Sequence, residues 1–453
     1  MQNKYEIYIK SLNSLISELQ KPGPIAVVGG KTSTVLPYQD LNLFGSQTRV
    51  INLSQMPKGL SIAENGDLTV LGPVDWREAR QFCEENGREI LTAPTEDTAH
   101  ILSGLATSAT GERCFGFGTL RDQVKSLKFL NYQGEIISLN SKKKFTSNEL
   151  IKKYQKDYLK YKNFKNGPFP RFKKETDLMI GTEGQLGVII EATIATKLKV
   201  PTSFFFILLP KWEVDYHPHL EVFKKIQEFR DLIYCCELID SNSLSVLPAD
   251  ENPANGSQDL IFIEFESEKS EEVFEKFISS LDQTDLENVF EIGASKCHEL
   301  RMKVPRLTFE RNSMMGVVKK GTDVQMAPHK FQQLLDIYRN MANLGIDYNL
   351  FGHFGDAHLH FNFMPSKIDV NKCDIALEQL YEKVQTLQGS PFAEHGVGLI
   401  KQKFIKHFYG NYQIEVFKYL KNIHDPENKF FPMGFMSLNF EKNNLHHEEQ
   451  IKC

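Results

Sequence analysis

Between residues 201 and 390 the chain alternates short apolar runs with longer amphipathic stretches, and this limits the folds open to it. "FFFILLP" (204–210), "YCCELID", "DLIFIEFES", "VVKKGTDV" and the region around 350–363 have strand length and strand composition. "LEVFKKIQEFRDLI", "SEEVFEKFISSL" and "APHKFQQLLDIYRNMANLG" lie between them with helical spacing. Such alternation implies a sheet covered by helices on one face. From 24 to 200 the texture is one of short strands and glycine turns ("PIAVVGG", "TRVINLS", "GDLTVLGP", "GVIIEATIATKL"). One helix is expected at "DWREARQFCEENG" (75–87), capped by Asp75 and ended by a glycine. The whole reads as α+β, divided into residues 1–200, 201–390 and 391–453. The last part is helical ("GLIKQKFIKHFYG", "QIEVFKYLKNI") and then turn-rich, with a frayed tail, "NNLHHEEQIKC".

Composition removes several function classes. A chain of 453 residues, 41% hydrophobic and 25% charged, has ample material for a buried core. Its net charge of −5 provides no global field for nucleic acid. The seven cysteines form no CxxC pair, which argues against a zinc ribbon or iron–sulfur cluster and fits a reducing compartment. The N-terminal "MQNKYEIYIKSLNSLISELQKPGP" interleaves charge with apolar residues, as an amphipathic helix ended by Pro22 and Gly23 would, and lacks the core of a signal peptide. No apolar run approaches the roughly 20 residues of a membrane helix. A cytoplasmic protein is expected. Residues 142–174 hold a dozen Lys and Arg against only Glu149 and Asp157, either a solvated surface or a dock for an anionic partner or membrane surface.

Three motifs carry chemistry. "VVGGKTST" (27–34) is not a nucleotide-triphosphate loop, because Ile25 stands where the first glycine is required and Pro37 blocks the following helix. What remains is a strand and a Gly-Gly turn. The backbone of Gly29 and Gly30, with Lys31, Thr32 and Ser33, can hold a pyrophosphate, or can be a plain hairpin turn. "DLMIGTEGQLGVIIEATI" (177–194) spaces Gly181, Gly184 and Gly187 by three before an apolar strand, which allows close approach to a flat ligand or to another segment. In "GHFGDAHLHFN" (352–362), strand alternation puts His358, His360 and Asn362 on one face, with His353 returned beside them across the Gly355 turn. With Glu394 they form a set able to hold a divalent metal; a polar strand with satisfied hydrogen bonds is the alternative.

Together with "GFGTLRDQV" (116–124) and "AEHGVGLIKQKFI" (393–405), these segments appear in the order seen in FAD-linked oxidases of the vanillyl-alcohol-oxidase fold, which they resemble from about residue 20 to 435. The two C-terminal motifs resemble those of the branch acting on D-lactate, glycolate and D-2-hydroxyglutarate. The resemblance implies a PCMH-type FAD-binding domain, a ferredoxin-like α+β cap carrying the substrate, and a C-terminal segment returning to the FAD domain. It implies pyrophosphate binding by Gly29–Ser33, and flavin lined by Gly104, Gly111 and Gly118 and by Glu183, Gly184, Gly187 and Val188. The "GGKTS" loop has no histidine or cysteine to bond the flavin, so FAD is expected to be non-covalent. Three positions depart from the family pattern: Lys31 replaces a third glycine, Ser103 the first of a glycine pair, and Phe431 an asparagine near the flavin.

The resemblance also assigns roles. Metal ligands map onto His353, His360 and Glu394, with zinc favoured over manganese or iron. His358, where relatives often have asparagine, is a fourth ligand or a substrate contact. His395 takes the hydroxyl proton, Arg301 clamps the substrate carboxylate, Lys320 meets a second charge, and Asn362 completes the catalytic set. The implied reaction is oxidation of a D-2-hydroxy acid to the 2-oxo acid by hydride transfer to flavin. Electrons would leave to a quinone, a cytochrome or an electron-transfer flavoprotein; a peripheral membrane contact and a homodimer are compatible with this. Two other functions compete: an alkylglycerone-phosphate-synthase-like flavin transferase, against which Glu394 argues, and a non-catalytic subunit of the same fold.

Overall fold

A computed structural model describes residues 6–437 apart from Gln39, Ser46, Ser147, Asn255 and residues 282–287. The tail "NNLHHEEQIKC" and residues 1–5 lie outside the described residues. Near the N-terminus three parallel strands pair in the order Glu6–Tyr8, Arg49–Asn52, Ile25–Val28. The helix expected across this segment is shorter than the sequence suggests. It spans Leu12–Gln20, starting at Ser11, whose hydroxyl accepts from Ser14 N at 3.1 Å. The residues before it, Glu6–Tyr8, form a strand on Arg49–Asn52. An antiparallel sheet follows, ordered Gly59–Ile62, Leu68–Leu71, Val188–Ile194, Val124–Leu130, Ile136–Asn140. The helix Trp76–Glu85 begins where Asp75 accepts from Glu78 N at 2.8 Å.

Eight strands build the second large sheet, ordered Val289–Gly293, Thr202–Pro210, Gln258–Glu266, Cys235–Ile239, Tyr348–His353, His358–Phe363 and Lys320–Gly321, with Val324–Gln325 also paired to His358–Phe363. All its pairings are antiparallel. Helices cover both faces, not one. Phe205, Ile207 and Ile263 pack with Val222, Phe223 and Leu334 from helices on one side, whereas Phe204, Phe206 and Phe262 pack with Cys297, Leu300 and Val304 on the other. The strand composition explains this: "FFFILL" and "LIFIEF" are apolar at nearly every position, and a strand without a polar face must be covered twice. The second cover is Ala294–Met315, a 22-residue helix whose spacing is obscured by charges and by the internal Pro305. The chain then returns to the first strands: Ile25 N donates to Lys429 O at 2.9 Å and Phe431 N to Ile25 O at 2.7 Å. Among the described residues no helix is long and apolar enough to cross a membrane.

Asp240 ends the central strand Cys235–Ile239 and is fully buried. Its Oδ1 accepts from Ser243 N at 2.8 Å, while Oδ2 meets no donor among the described residues. Burial, and then the neighbouring Asp259, raise this carboxyl to about 7. A carboxyl raised in the folded state stabilises at low pH and loses that contribution as pH climbs through about 7. Asp240→Asn should therefore raise Tm relative to the parent, and by more at pH 8 than at pH 4. A Tm difference independent of pH would show that this group does not titrate there.

Candidate active site

The strand Ile25–Val28 runs into the Gly29–Gly30 turn. A Cβ on Gly29 would lie 2.6 Å from Ser103 Oγ and 2.8 Å from His100 Nδ1, so only glycine lets the turn meet the 100–104 segment. Lys31 has φ +59°, the left-handed conformation for which glycine is better suited. Its ammonium lies 2.6 Å from Glu6 Oε1.

From this turn a cavity of about 1180 Å³ runs into the large sheet. Gly29, Gly30, Lys31, Thr32, Ser33, Gly104, Gly111, Gly184, Gly187 and Val188 line one part; Arg301, His353, His360, Asn362, Glu394 and His395 line the other. It exceeds the roughly 300–1,000 Å³ of a pocket for one drug-sized molecule and fits a flavin dinucleotide with a small acid beside it. Gly118 corrects the sequence reading: it is not in the cavity wall. It ends the short helix Cys114–Phe117 at φ +79°, and its carbonyl accepts from Thr92 Oγ1 at 2.7 Å. Glu183 does reach the wall, but its carboxylate accepts from Val397 N at 2.6 Å and Gly398 N at 3.0 Å. Burial raises it to about 7 against those two bonds. It fastens the glycine turn to the C-terminal segment.

The histidines sit on a hairpin. Tyr348–His353 and His358–Phe363 pair with His353 opposite His358 and Phe351 opposite His360. His358, His360 and Asn362 are buried on one face, as strand alternation requires. Gly352, at φ +137°, leaves room for the His360 ring, whose Cδ2 would lie 3.0 Å from any Cβ there. Glu394 meets both strands, with Oε2 3.0 Å from His353 Nε2 and Oε1 2.9 Å from His360 Nε2. The other nitrogens are engaged behind: His353 Nδ1 is 2.7 Å from Glu237 Oε1, and His360 Nδ1 is 3.2 Å from Thr322 O. A carbonyl oxygen only accepts, so His360 Nδ1 carries a proton, and Nε2 is the nitrogen that faces the carboxylate oxygen. A ring nitrogen and a carboxylate oxygen at that distance share a proton or a cation. Two imidazoles and a carboxylate with outer anchors suit a divalent ion. Burial would lower His353, but Glu237 and Glu394 raise it to about 9, so protons compete with a metal for this nitrogen.

His395 stacks on His360, with ring centroids 4.9 Å apart and 19° between planes. Burial lowers it to about 4 against the pull of Asp323, which leaves a neutral imidazole able to accept a proton. Arg301 enters from Ala294–Met315 and is paired with Glu112, while its Nη2 lies 3.7 Å from Glu237 Oε2. Asn362 donates to Asn349 Oδ1 at 2.9 Å. Lys320 is a second correction. It points away from the cavity to Asp374 Oδ1, 2.8 Å distant, and the cavity is met by Lys319. Adjacent residues of an extended segment face opposite ways, so an error of one position moves the charge to the other side.

Four residues escape the sequence reading. Glu237, the one charge in the strand "CCELI", was detectable, because a carboxylate in a buried strand must be paired. Asp323 is fully buried and accepts from His395 N at 2.8 Å, Lys401 Nζ at 3.1 Å and His358 Nε2 at 3.0 Å. Lys165, inside the basic stretch, is buried with its Nζ 3.3 Å from Asp356 Oδ2 and 4.0 Å from Glu394 Oε2. Lys319 is the fourth.

A family model described as FAD binding domain matches residues 10–140, and one described as FAD linked oxidases, C-terminal domain, matches residues 220–433. The chain is 25% identical over 395 residues to the D-2-hydroxyglutarate dehydrogenase of Stutzerimonas stutzeri (strain A1501), covering 83% of this chain and 79% of that protein. It is 23% identical over 403 residues to the D-lactate dehydrogenase of Anaerostipes hadrus, covering 83% and 78%. With the mitochondrial D-lactate dehydrogenase [cytochrome] of Kluyveromyces lactis it shares 21% identity over 384 residues, 80% of this chain and 61% of that protein. Among solved structures an alkyldihydroxyacetonephosphate synthase superposes with a TM-score of 0.66 over 95% of this chain and 76% of that chain, at 14% identity, a likeness of fold.

Glu183 yields a test of the cavity wall. Glu183→Gln keeps the shape but offers one oxygen to two backbone donors, and an unmet buried donor costs about 1–3 kcal/mol. Flavin retention should fall roughly ten- to hundred-fold, read by fluorescence of flavin released on dialysis. Equal retention by parent and variant would show that the clamp does not support the flavin site.

Proposed function

The chain belongs to the FAD-linked oxidases, and from that premise we propose that it oxidises a D-2-hydroxy acid to the 2-oxo acid in the cavity between the Gly29–Gly30 turn and the His353/His360/Glu394 cluster. The observation that carries this reading is the continuity of that cavity, which puts a dinucleotide-sized space and a carboxylic-acid-sized space in one volume. The unit 1–200 is read as the flavin domain, 201–390 as the cap and 391–453 as the closing segment. Bound FAD would supply the hydride acceptor, and a divalent ion, with zinc the first choice, held by His353, His360 and Glu394 would supply Lewis acidity at the substrate oxygens.

The protein's own residues do the rest. Arg301 binds the substrate carboxylate: its planar fork suits two oxygens, and the acid would take over the place that Glu112 holds at that fork. Lys319, in place of Lys320, meets a second anionic group; burial, with Lys401, lowers its ammonium. His395 accepts the hydroxyl proton at a ring nitrogen as the C2–H bond breaks. Asn362 orients the acid from the strand face it shares with His360. The sheet and its two helical covers exclude water. The electron acceptor would be a quinone, a cytochrome or an electron-transfer flavoprotein. Of the dozen basic residues in 142–174, Lys165 turns inward, and the exposed ones remain to meet that acceptor. A cytoplasmic setting fits the six free, buried cysteines among the described residues.

Anaerobic addition of D-2-hydroxy acids to the purified flavoprotein should bleach the flavin absorbance, and the L-enantiomers should not. His395→Asn should slow that reduction roughly 10²- to 10⁴-fold with flavin content unchanged. A flavin untouched by every acid of the panel would overturn the dehydrogenase reading and favour the transferase.

A further inference from the structure

His358 is buried with 0% exposure, and only one of its two nitrogens is engaged. Its Nε2 lies 3.0 Å from Asp323 Oδ1. Nδ1 is out of contact with solvent and has no hydrogen-bond partner among the described residues. Asp323 is a buried carboxylate that also accepts the N–H of His395 and the ammonium of Lys401, so the proton between it and His358 belongs to the imidazole. In the neutral ring this tautomer places a lone pair on Nδ1.

The same pattern holds for the two neighbouring rings, with the nitrogens exchanged. His353 is anchored at Nδ1 by Glu237, and His360 at Nδ1 by the Thr322 carbonyl; both present Nε2 to Glu394. One ring nitrogen of each of the three histidines and one oxygen of Glu394 lie within 4.8 Å of one another. Three imidazoles, each held from outside by an acceptor and each with its remaining nitrogen otherwise unpaired, form the arrangement that fixes tautomer and ring direction around an ion. His219, buried beside Asp259 at 3.1 Å, also leaves its Nδ1 without a partner, but His219 belongs to no group of metal-capable side chains among the described residues, whereas His358 sits in one.

We propose that His358 is a fourth protein ligand, binding through Nδ1 while Asp323 holds its Nε2–H, so that the ion is met by three imidazoles and a carboxylate. This rests on the reading that His353, His360 and Glu394 hold a divalent ion. A site so furnished has fewer positions open to substrate than one of two histidines and a carboxylate, and favours zinc or cobalt over harder, oxygen-seeking ions.

The test uses the flavin-loaded protein stripped of metal. With ¹⁵N-labelled histidine, addition of Zn²⁺ should shift the Nε2 resonances of two histidines and the Nδ1 resonance of a third, and that third set should be missing in His358→Asn. In a parallel titration with Co²⁺, His358→Asn should bind at least tenfold more weakly than the parent and show an altered ligand-field spectrum, while His360→Ala should lose binding. If Zn²⁺ shifts only two Nε2 resonances, or His358→Asn binds Co²⁺ with the parent's affinity and spectrum, His358 is not a ligand and the three-residue site stands. If the parent binds neither ion, the metal reading itself falls. Should His358→Asn fail to fold, the resonance pattern of the parent alone decides.

Discussion

Asp323 connects parts of the chain that otherwise have little reason to meet. Burial would raise its carboxyl, yet His395, Lys401 and His358 hold it well below the usual carboxylate range. It receives the backbone N–H groups of Glu394 and His395, the Lys401 ammonium and the His358 ring, and its own carbonyl accepts from Ala393 N at 3.0 Å. These bonds seat the 393–401 segment against the hairpin that carries the histidines. Charge-assisted bonds inside a low-dielectric interior are strong when complete and costly when one partner is lost, so the site is rigid.

The cavity takes its shape from the same joints. The large sheet contributes the histidine hairpin and Glu237, the helix over its outer face contributes Arg301, and the returning C-terminal segment contributes Glu394 and His395. Glu183 then closes the circuit by clamping Val397 and Gly398 to the glycine turn on the dinucleotide side. The chemical groups therefore come from separate elements of the fold, and the buried carboxylates Glu237 and Asp323 back His353 and the Glu394-His395 pair. The proposed reaction would need its oxidant, acid clamp and base within one small volume, and these joints bring the corresponding groups to one cavity.

The departures at the flavin side have local explanations. Lys31 tolerates the left-handed backbone that glycine favours at roughly 1–2 kcal/mol of strain, and gives its charge to Glu6. Phe431 also has a positive φ of 43°, packs its ring 5.9 Å from Phe44, and lines the cavity as an apolar wall. That change makes this part of the pocket drier than an asparagine would.

Much of this was legible in the residues. Period-two alternation in "HLHFN" is a local property of the backbone, so His358, His360 and Asn362 had to share a face once they formed a strand. The Asp75 cap, the Gly29–Gly30 turn and the Glu394-His395 pair are equally local, and the order of the motifs carried the family resemblance. What local pattern does not contain is direction across a fold. Lys319 and Lys320 differ only in which side of an extended segment they occupy, and no periodicity in "VVKKGTDV" says which is inward. Lys165 looks like its solvated neighbours until Asp356 and Glu394 close around it. Helix Ala294–Met315 hides its buried face among charges because Arg301 is itself buried there. The sequence alone determined which chemical groups were available and which local strands and turns would carry them. The tertiary structure decided which groups converge, since convergence depends on long-range pairing, and on buried charges such as Asp323 whose partners lie dozens of residues away.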